Sequence, residues 1–154
     1  MKTIEKISYR KATEKDIPQL IELRIKQLID EGYPESRDIR HELQTYFTAS
    51  LSNGSLVCWL GLSNDIIIAT GGLCFYQLPG SFSNPTGINA YITNMYTADQ
   101  FRKQGIASFL IDKLLTEAKA GGFAFVKLHA SNHGKSVYQK AGFVNADGYM
   151  GLKF

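Results

Sequence analysis

Hydrophobic and polar positions along this chain switch between two periods, and the switches mark its elements. Ile7 to Ala12 reads as a short opening strand. Thr13-Glu14-Lys15-Asp16 carries a helix start, with Thr13 as N-cap and Asp16 reaching back from the third position. Ile17, Leu20, Ile21, Leu23, Ile25, Leu28 and Ile29 follow at helical spacing until Gly32 and Pro34 end the helix. A second helix is predicted from about Ser36 to Leu51, stopped by Asn53-Gly54. The period then changes: Leu56 to Leu62 and Ile66 to Phe75 are strand-like, with Asn64-Asp65 as the hairpin turn. Gln77 to Gly87, rich in proline, glycine and small polar residues, reads as a loop, and Ile88 to Thr97 returns to strand. Ile106 to Ala120 is an amphipathic helix whose inner face is Ile106, Leu110, Ile111, Leu114, Leu115 and Ala118, ended by Gly121-Gly122. Phe125 to Leu128 is a strand, Lys135 to Ala141 a short helix closed by Gly142, and Tyr149 to Phe154 a final strand.

The resulting order, β-α-α-β-β-β-α-β-α-β, predicts a mixed α/β (α+β) fold with helices packed on a central sheet. No linker-like tract interrupts the 154 residues, so residues 1–154 are expected to form a single domain. The chain is 44% hydrophobic and 20% charged, as soluble globular proteins are. Its net charge of +3 comes from Lys and Arg spread along the chain, and no clustered basic face argues for a nucleic-acid partner. Residues 1–8 lack a signal-peptide core and no apolar run is long enough to span a bilayer, so a cytoplasmic protein without a membrane partner is expected. Cys58 and Cys74 lie in apolar stretches and read as buried free thiols.

Candidate chemistry concentrates between Met95 and Ala107, where a strand leads through a tight basic turn into a helix. The first N–H groups of a helix lack carbonyl partners and the dipole's positive end points outward, so a phosphate suits the place. Gly105 permits close backbone approach, Ala107 adds little bulk, and Arg102 and Lys103 supply charge. Arg-x-x-Gly-x-Ala has only three fixed positions and does not by itself specify a ligand; neither G-x-G-x-x-G nor a Walker motif is present. His129 and His133 straddle a strand end and a loop without a third ligand nearby, so no metal site is expected. No Ser or Cys sits in a nucleophile motif, which argues against a covalent acyl-enzyme.

Met95-Tyr96-Thr97, then Phe101-Arg102-Lys103-Gln104-Gly105-Ile106-Ala107, then Leu110 and Leu114-Leu115, resembles the acetyl-CoA motif of the GNAT superfamily of N-acetyltransferases. Leu128-His129-Ala130-Ser131 with Val137-Tyr138-Gln139-Lys140-Ala141-Gly142-Phe143 resembles that superfamily's second signature, and Arg10-Lys11-Ala12-Thr13 with Asp16 is similar to its opening strand and helix. The resemblance covers nearly the whole chain. It implies a central, mostly antiparallel mixed sheet flanked by helices, and direct acetyl transfer from acetyl-CoA to a primary amine of a small molecule or protein, by a monomer or homodimer.

The resemblance also assigns roles. The strand at Met95, Tyr96 and Thr97 would offer backbone groups to the donor's pantetheine arm, and Arg102, Lys103, Gln104, Gly105, Ile106, Ala107 and Ser108 would surround its pyrophosphate. Lys135 is a further donor contact, and Ser131 or Asn132 either bonds the pantetheine or caps the following helix. Tyr138 falls where the family often places a tyrosine that protonates the departing thiolate. Two positions depart from the pattern. Thr93, with Asn94 beside it, stands where many members carry a carboxylate or histidine, and Ser131 replaces a frequent Asn. The proton acceptor for the amine is thus open between a water chain, Glu31 and His129, and a non-catalytic acyl-CoA-binding module is the alternative reading. The acceptor pocket is placed between the first two helices, the Gln77 to Gly87 loop and the strand at Tyr91 and Thr93, with Asp30, Glu31, Glu35 and Asp38 as an acidic cluster able to attract a cation.

Overall fold

The computed structural model describes residues 6–146 and 148–154. Strand β1 (Ser8–Lys11) leads through a 3₁₀ turn at Glu14–Asp16 into helix α1 (Ile17–Asp30). Asp16 closes this entry as expected: its Oδ2 accepts the Thr13 amide at 2.8 Å, and its two oxygens accept the Arg10 guanidinium at 2.8 and 2.9 Å. These bonds, Arg10's first, hold the Asp16 carboxyl below its ordinary value of 3.8 although partial burial pushes the other way. A lowered folded pKa gives stability that is present above the ordinary value and lost as pH falls through the folded one. Asp16→Ala is therefore expected to cost about 2 kcal/mol in urea melts at neutral pH, with the deficit shrinking in strong acid.

Helix α2 (Arg40–Asn53) starts later than the predicted Ser36, because Asp38 Oδ1 accepts the Arg40 amide at 3.0 Å and makes a local turn of the approach. Gly54, in the left-handed conformation, terminates it. Strands β2 (Leu56–Ser63) and β3 (Ile66–Gln77) are joined at Asn64-Asp65, both with positive φ, as a two-residue hairpin turn matching strand twist demands. Strand β4 (Ile88–Thr97), helix α3 (Ile106–Ala120), strand β5 (Val126–Leu128) and helix α4 (Lys135–Lys140) complete the order.

The strands form one sheet in chain order, β1-β2-β3-β4-β5. Neighbours are antiparallel until β4 and β5, which α3 joins as a parallel pair. Helices α1 and α2 cover one face, where Leu20, Ile21, Ile25 and Phe47 pack on Leu56, Cys58, Leu60 and Leu62. Helix α3 covers the other, with Leu110, Leu114 and Ala118 against Ala69, Leu73, Ala90 and Ile92. Both cysteines are free, Cys58 buried and Cys74 half-buried, on adjacent strands.

One expected element is absent: Tyr149 to Phe154 form no strand. A strand needs a hydrogen-bonded neighbour, and this segment passes β5 only through side chains, the Tyr149 ring lying 4.6 Å from Lys127 Nζ. Met150, Leu152 and Phe154 are exposed as a result. Among the described residues the sheet thus has five strands where the pattern predicted six.

Candidate active site

The sheet splits where its strand order turns parallel. Pairing between β4 and β5 is confined to Ala90, Ile92 and the residue between them, set against Val126 to Leu128. Beyond Ile92, β4 runs on to Thr97 bonded to β3 alone. Within that stretch Asn94 and Met95 together oppose the single residue Gly71, since the register passes from Gly72↔Thr93 to Thr70↔Tyr96. This is a β-bulge, which bends a strand and frees one residue from the ladder. Asn94 takes φ 55°, is buried, and its carbonyl accepts the Thr70 hydroxyl at 2.7 Å. Asparagine tolerates that conformation better than most residues. Gly71 has a packing reason, for a Cβ there would meet Met95 Sδ at 3.0 Å and Leu114 Cδ1 at 3.3 Å. The free edge from Asn94 to Thr97 can accept an extended ligand as an added strand. An unbroken strand was expected here; a buried-side Asn opposite Gly71-Gly72 was the signal of the bulge.

Below this edge lies the turn. Lys103 (φ 59°) and Gly105 (φ 81°) both adopt the left-handed conformation, and successive amides turn inward as in an anion nest. The first intrahelical bond to Gly105 comes from Phe109 at 3.0 Å. Among the described residues the amides from Lys103 through Ser108 therefore have no partner, including those of Gly105, Ile106 and Ala107. The Arg102 side chain is already engaged: its Nε donates to Thr97 O at 3.0 Å, and Nη2 lies 3.0 Å from Asp99 and 3.5 Å from Asp30. Arg102 ties the turn to β4 and α1, so what the turn can offer an anion is mainly backbone N–H groups. Gln104 folds back onto Gln100 O at 3.1 Å, and the Ile106 side chain is part of the core. Lys103 and Ser108 are exposed.

Tyr138 stands on α4 across the split. Its ring lies over Gly134 and meets Phe143 edge-on at 6.0 Å between centroids. Its hydroxyl has no hydrogen-bond partner among the described residues. Burial, then the nearby charges of Glu31 and Tyr91, push the phenol up to about 12, so it keeps its proton at any physiological pH. Ser131 caps the turn into α4, its Oγ accepting Gly134 N–H at 3.3 Å, while Asn132 and Lys135 are exposed beside it.

Glu31, Tyr33 and the segment from His129 to His133 line a cavity of about 270 Å³ at the mouth of the split. Tyr91 and Thr93 face α1 and α2, opposite Cys74 and Gly72 of β3. Burial raises the Tyr91 phenol, with the His129 backbone acting the other way. The structure thus brings Glu31, Tyr91, His129 and Tyr138 to one place. Of the four acidic residues near the helix turn, Asp30 pairs with Lys26 at 2.6 Å and Asp38 with Arg40 at 3.1 Å, while Glu31 and Glu35 have no ion pair among the described residues. No group of three metal-ligating side chains occurs among the described residues, and no described helix is long and apolar enough to cross a membrane.

The Acetyltransferase (GNAT) family profile matches residues 19–143. A predicted acetyltransferase from Clostridium acetobutylicum, solved with acetyl-CoA, is 42% identical over 96% of each chain, with a TM-score of 0.93. A GCN5-related N-acetyltransferase from Ralstonia eutropha JMP134 shares the fold at 22% identity, with 96% of this chain and 99% of that one covered and a TM-score of 0.84. Glucosamine-6-phosphate N-acetyltransferase from Arabidopsis thaliana shares it at 22% identity, 97% and 99% coverage and a TM-score of 0.75. No curated protein matches the chain in sequence.

Proposed function

The chain belongs to the GNAT acetyltransferase family, and from that premise we propose that it acts as one domain transferring an acetyl group directly from acetyl-CoA to a primary amine. The observation that carries this reading is the meeting of a split sheet with a run of unpartnered amides. The β4 edge at Met95 to Thr97 suits an extended pantetheine arm, and the turn from Lys103 to Ser108 suits a pyrophosphate at its end. The Clostridium relative, solved with acetyl-CoA, supports the same donor here.

The donor supplies an acyl group activated as a thioester; the chain supplies geometry and a proton. Amides of the turn and strand hold the donor so that its thioester lies in the split near Tyr138. The amine nitrogen bonds to the acyl carbon, the carbon–sulfur bond breaks, and Tyr138 Oη gives its proton to the departing sulfur. A phenol kept protonated up to about 12 suits that task. The proton that the neutral amine loses passes to a water chain, Glu31 or His129 on the α1 side of the cleft, and a proton returned through water restores the Tyr138 phenol. A protonated Tyr138 phenol gathered with Glu31, Tyr91 and His129 favours catalysis over a binding module that only senses acyl-CoA.

A thermal melt with acetyl-CoA tests the donor assignment. At a hundred times the dissociation constant the donor adds about 2.7 kcal/mol, roughly 5–10 °C for a domain of this size. ATP and NADH are expected to give no comparable shift. Equal shifts with all three, or none at millimolar acetyl-CoA, would remove the donor assignment and the enzyme with it. Ala107→Glu is the informative variant, because it sets a carboxylate against the pyrophosphate and leaves the Arg102 tether intact.

A further inference from the structure

Helix α1 carries a polar row beside its apolar inward face. Ile17, Leu20, Ile21 and Ile25 are buried apolar residues, and Arg24, Gln27 and Glu31 run beside them at helical spacing. Gln27 is buried, and its carboxamide bridges the two charges: Arg24 Nη1 donates to its Oε1 at 3.2 Å, and its Nε2 donates to Glu31 Oε1 at 3.0 Å. Arg24 and Glu31 therefore stand one carboxamide and two hydrogen bonds apart, no more than roughly 9 Å.

Neither charge has an ionic partner among the described residues. This contrasts with the outer side of the same helix and its flanks, where Lys26, Asp30, Glu22 and Arg40 are all paired. A half-buried guanidinium and an exposed carboxylate kept apart by a glutamine on α1, the carboxylate lining the cavity beside His129, form a two-ended polar receptor. Their surroundings agree with where each end of a ligand would go. Arg24 lies on the side of α1 that faces Tyr46 of α2 and Tyr91 of β4, whereas Glu31 lies nearer Tyr138 and lines the cavity beside His129.

Resting on the acetyltransferase reading, we infer that the acceptor is a small amine that also carries an oxyanion, its ammonium held by Glu31 and its carboxylate or phosphate by Arg24. A guanidinium binds either oxyanion by charge-assisted, often bidentate hydrogen bonds. A polyamine would present a second cation to Arg24 and is disfavoured.

Matched acceptors test this, with CoA release as the readout: 6-aminohexanoate against hexylamine, and 4-aminobutylphosphonate against butylamine. The wild type is expected to favour the anionic member of at least one pair about tenfold or more in kcat/KM, and the pair concerned tells carboxylate from phosphate. Arg24→Gln should collapse that ratio towards one, and Arg24→Lys should restore part of it; melts with acetyl-CoA check that both variants still bind donor. Equal rates within both pairs, a ratio that survives Arg24→Gln, or turnover confined to spermidine would overturn the inference and leave the transferase standing. No turnover of any of these amines by a protein that binds acetyl-CoA would count against the transferase reading as well.

Discussion

Tyr138→Phe is expected to lower kcat by about 10²-fold, the lower end of what general acid help contributes, while acetyl-CoA stabilises the variant as much as the wild type. The substitution removes one oxygen and keeps the ring that meets Phe143 edge-on and covers Gly134, so melting temperature should barely move. Stopped-flow turnover with a good acceptor, beside donor melts, separates the two effects. The pH profile adds an independent check. Because burial and neighbouring negative charge push the phenol up to about 12, loss of its proton cannot produce a falling basic limb until near that pH. A limb centred near the ordinary tyrosine value of 10.0 that vanished in the Phe variant would show the hydroxyl to be less perturbed than its surroundings require. Full activity in the Phe variant would take the acid role away from Tyr138 altogether.

The second large effect is expected at the bulge. Asn94→Val places a β-branched side chain at φ 55°, a conformation such residues avoid. Strain of this kind costs about 1–3 kcal/mol, or roughly 3–10 °C in melting temperature. Relief of that strain means flattening the bulge, which returns β4 to the ladder and narrows the opening between β4 and β5. Donor affinity should therefore fall together with stability. Asn94→Gly, which enters the same conformation freely, should recover donor binding. Stability lost in both variants with donor binding intact in Val would mean that the bulge does not shape the donor's path.

Local signals and tertiary ones divide clearly in this protein. Where neighbours in sequence settle the outcome, the pattern alone was enough. The Thr13–Asp16 entry to α1, the Asn64-Asp65 hairpin, the Gly54 stop and the full length of α3 follow from capping, turn chemistry and apolar period, all short-range forces. The basic turn before α3 was legible for the same reason: it is a helix start, and its amides are free whatever surrounds it. Residues 149–154 show the opposite case. Their alternation is that of a strand, but a strand exists only through a hydrogen-bonded neighbour, and none borders this segment.

The site beyond the turn also depended on distant partners. That Asn94 and Met95 share one opposing residue is a property of register between β3 and β4, which no window on β4 contains. The engagement of Arg102 by Asp30 and Asp99 reassigns the turn's charge, since only the packing of α1 beside it brings Asp30 within reach. Likewise Arg24, Gln27 and Glu31 are visible in sequence as polar residues beside an apolar stripe, yet that Arg24 and Glu31 bond to Gln27 while their neighbours Lys26 and Asp30 pair with each other emerges only from the structure. The sequence by itself thus determined the helices apart from the start of α2, the turns and the free amides before α3, because those are decided within a few residues. The tertiary structure decided the split, the receptor on α1 and the isolation of the Tyr138 hydroxyl, because each depends on which groups from far along the chain arrive, or fail to arrive, as partners.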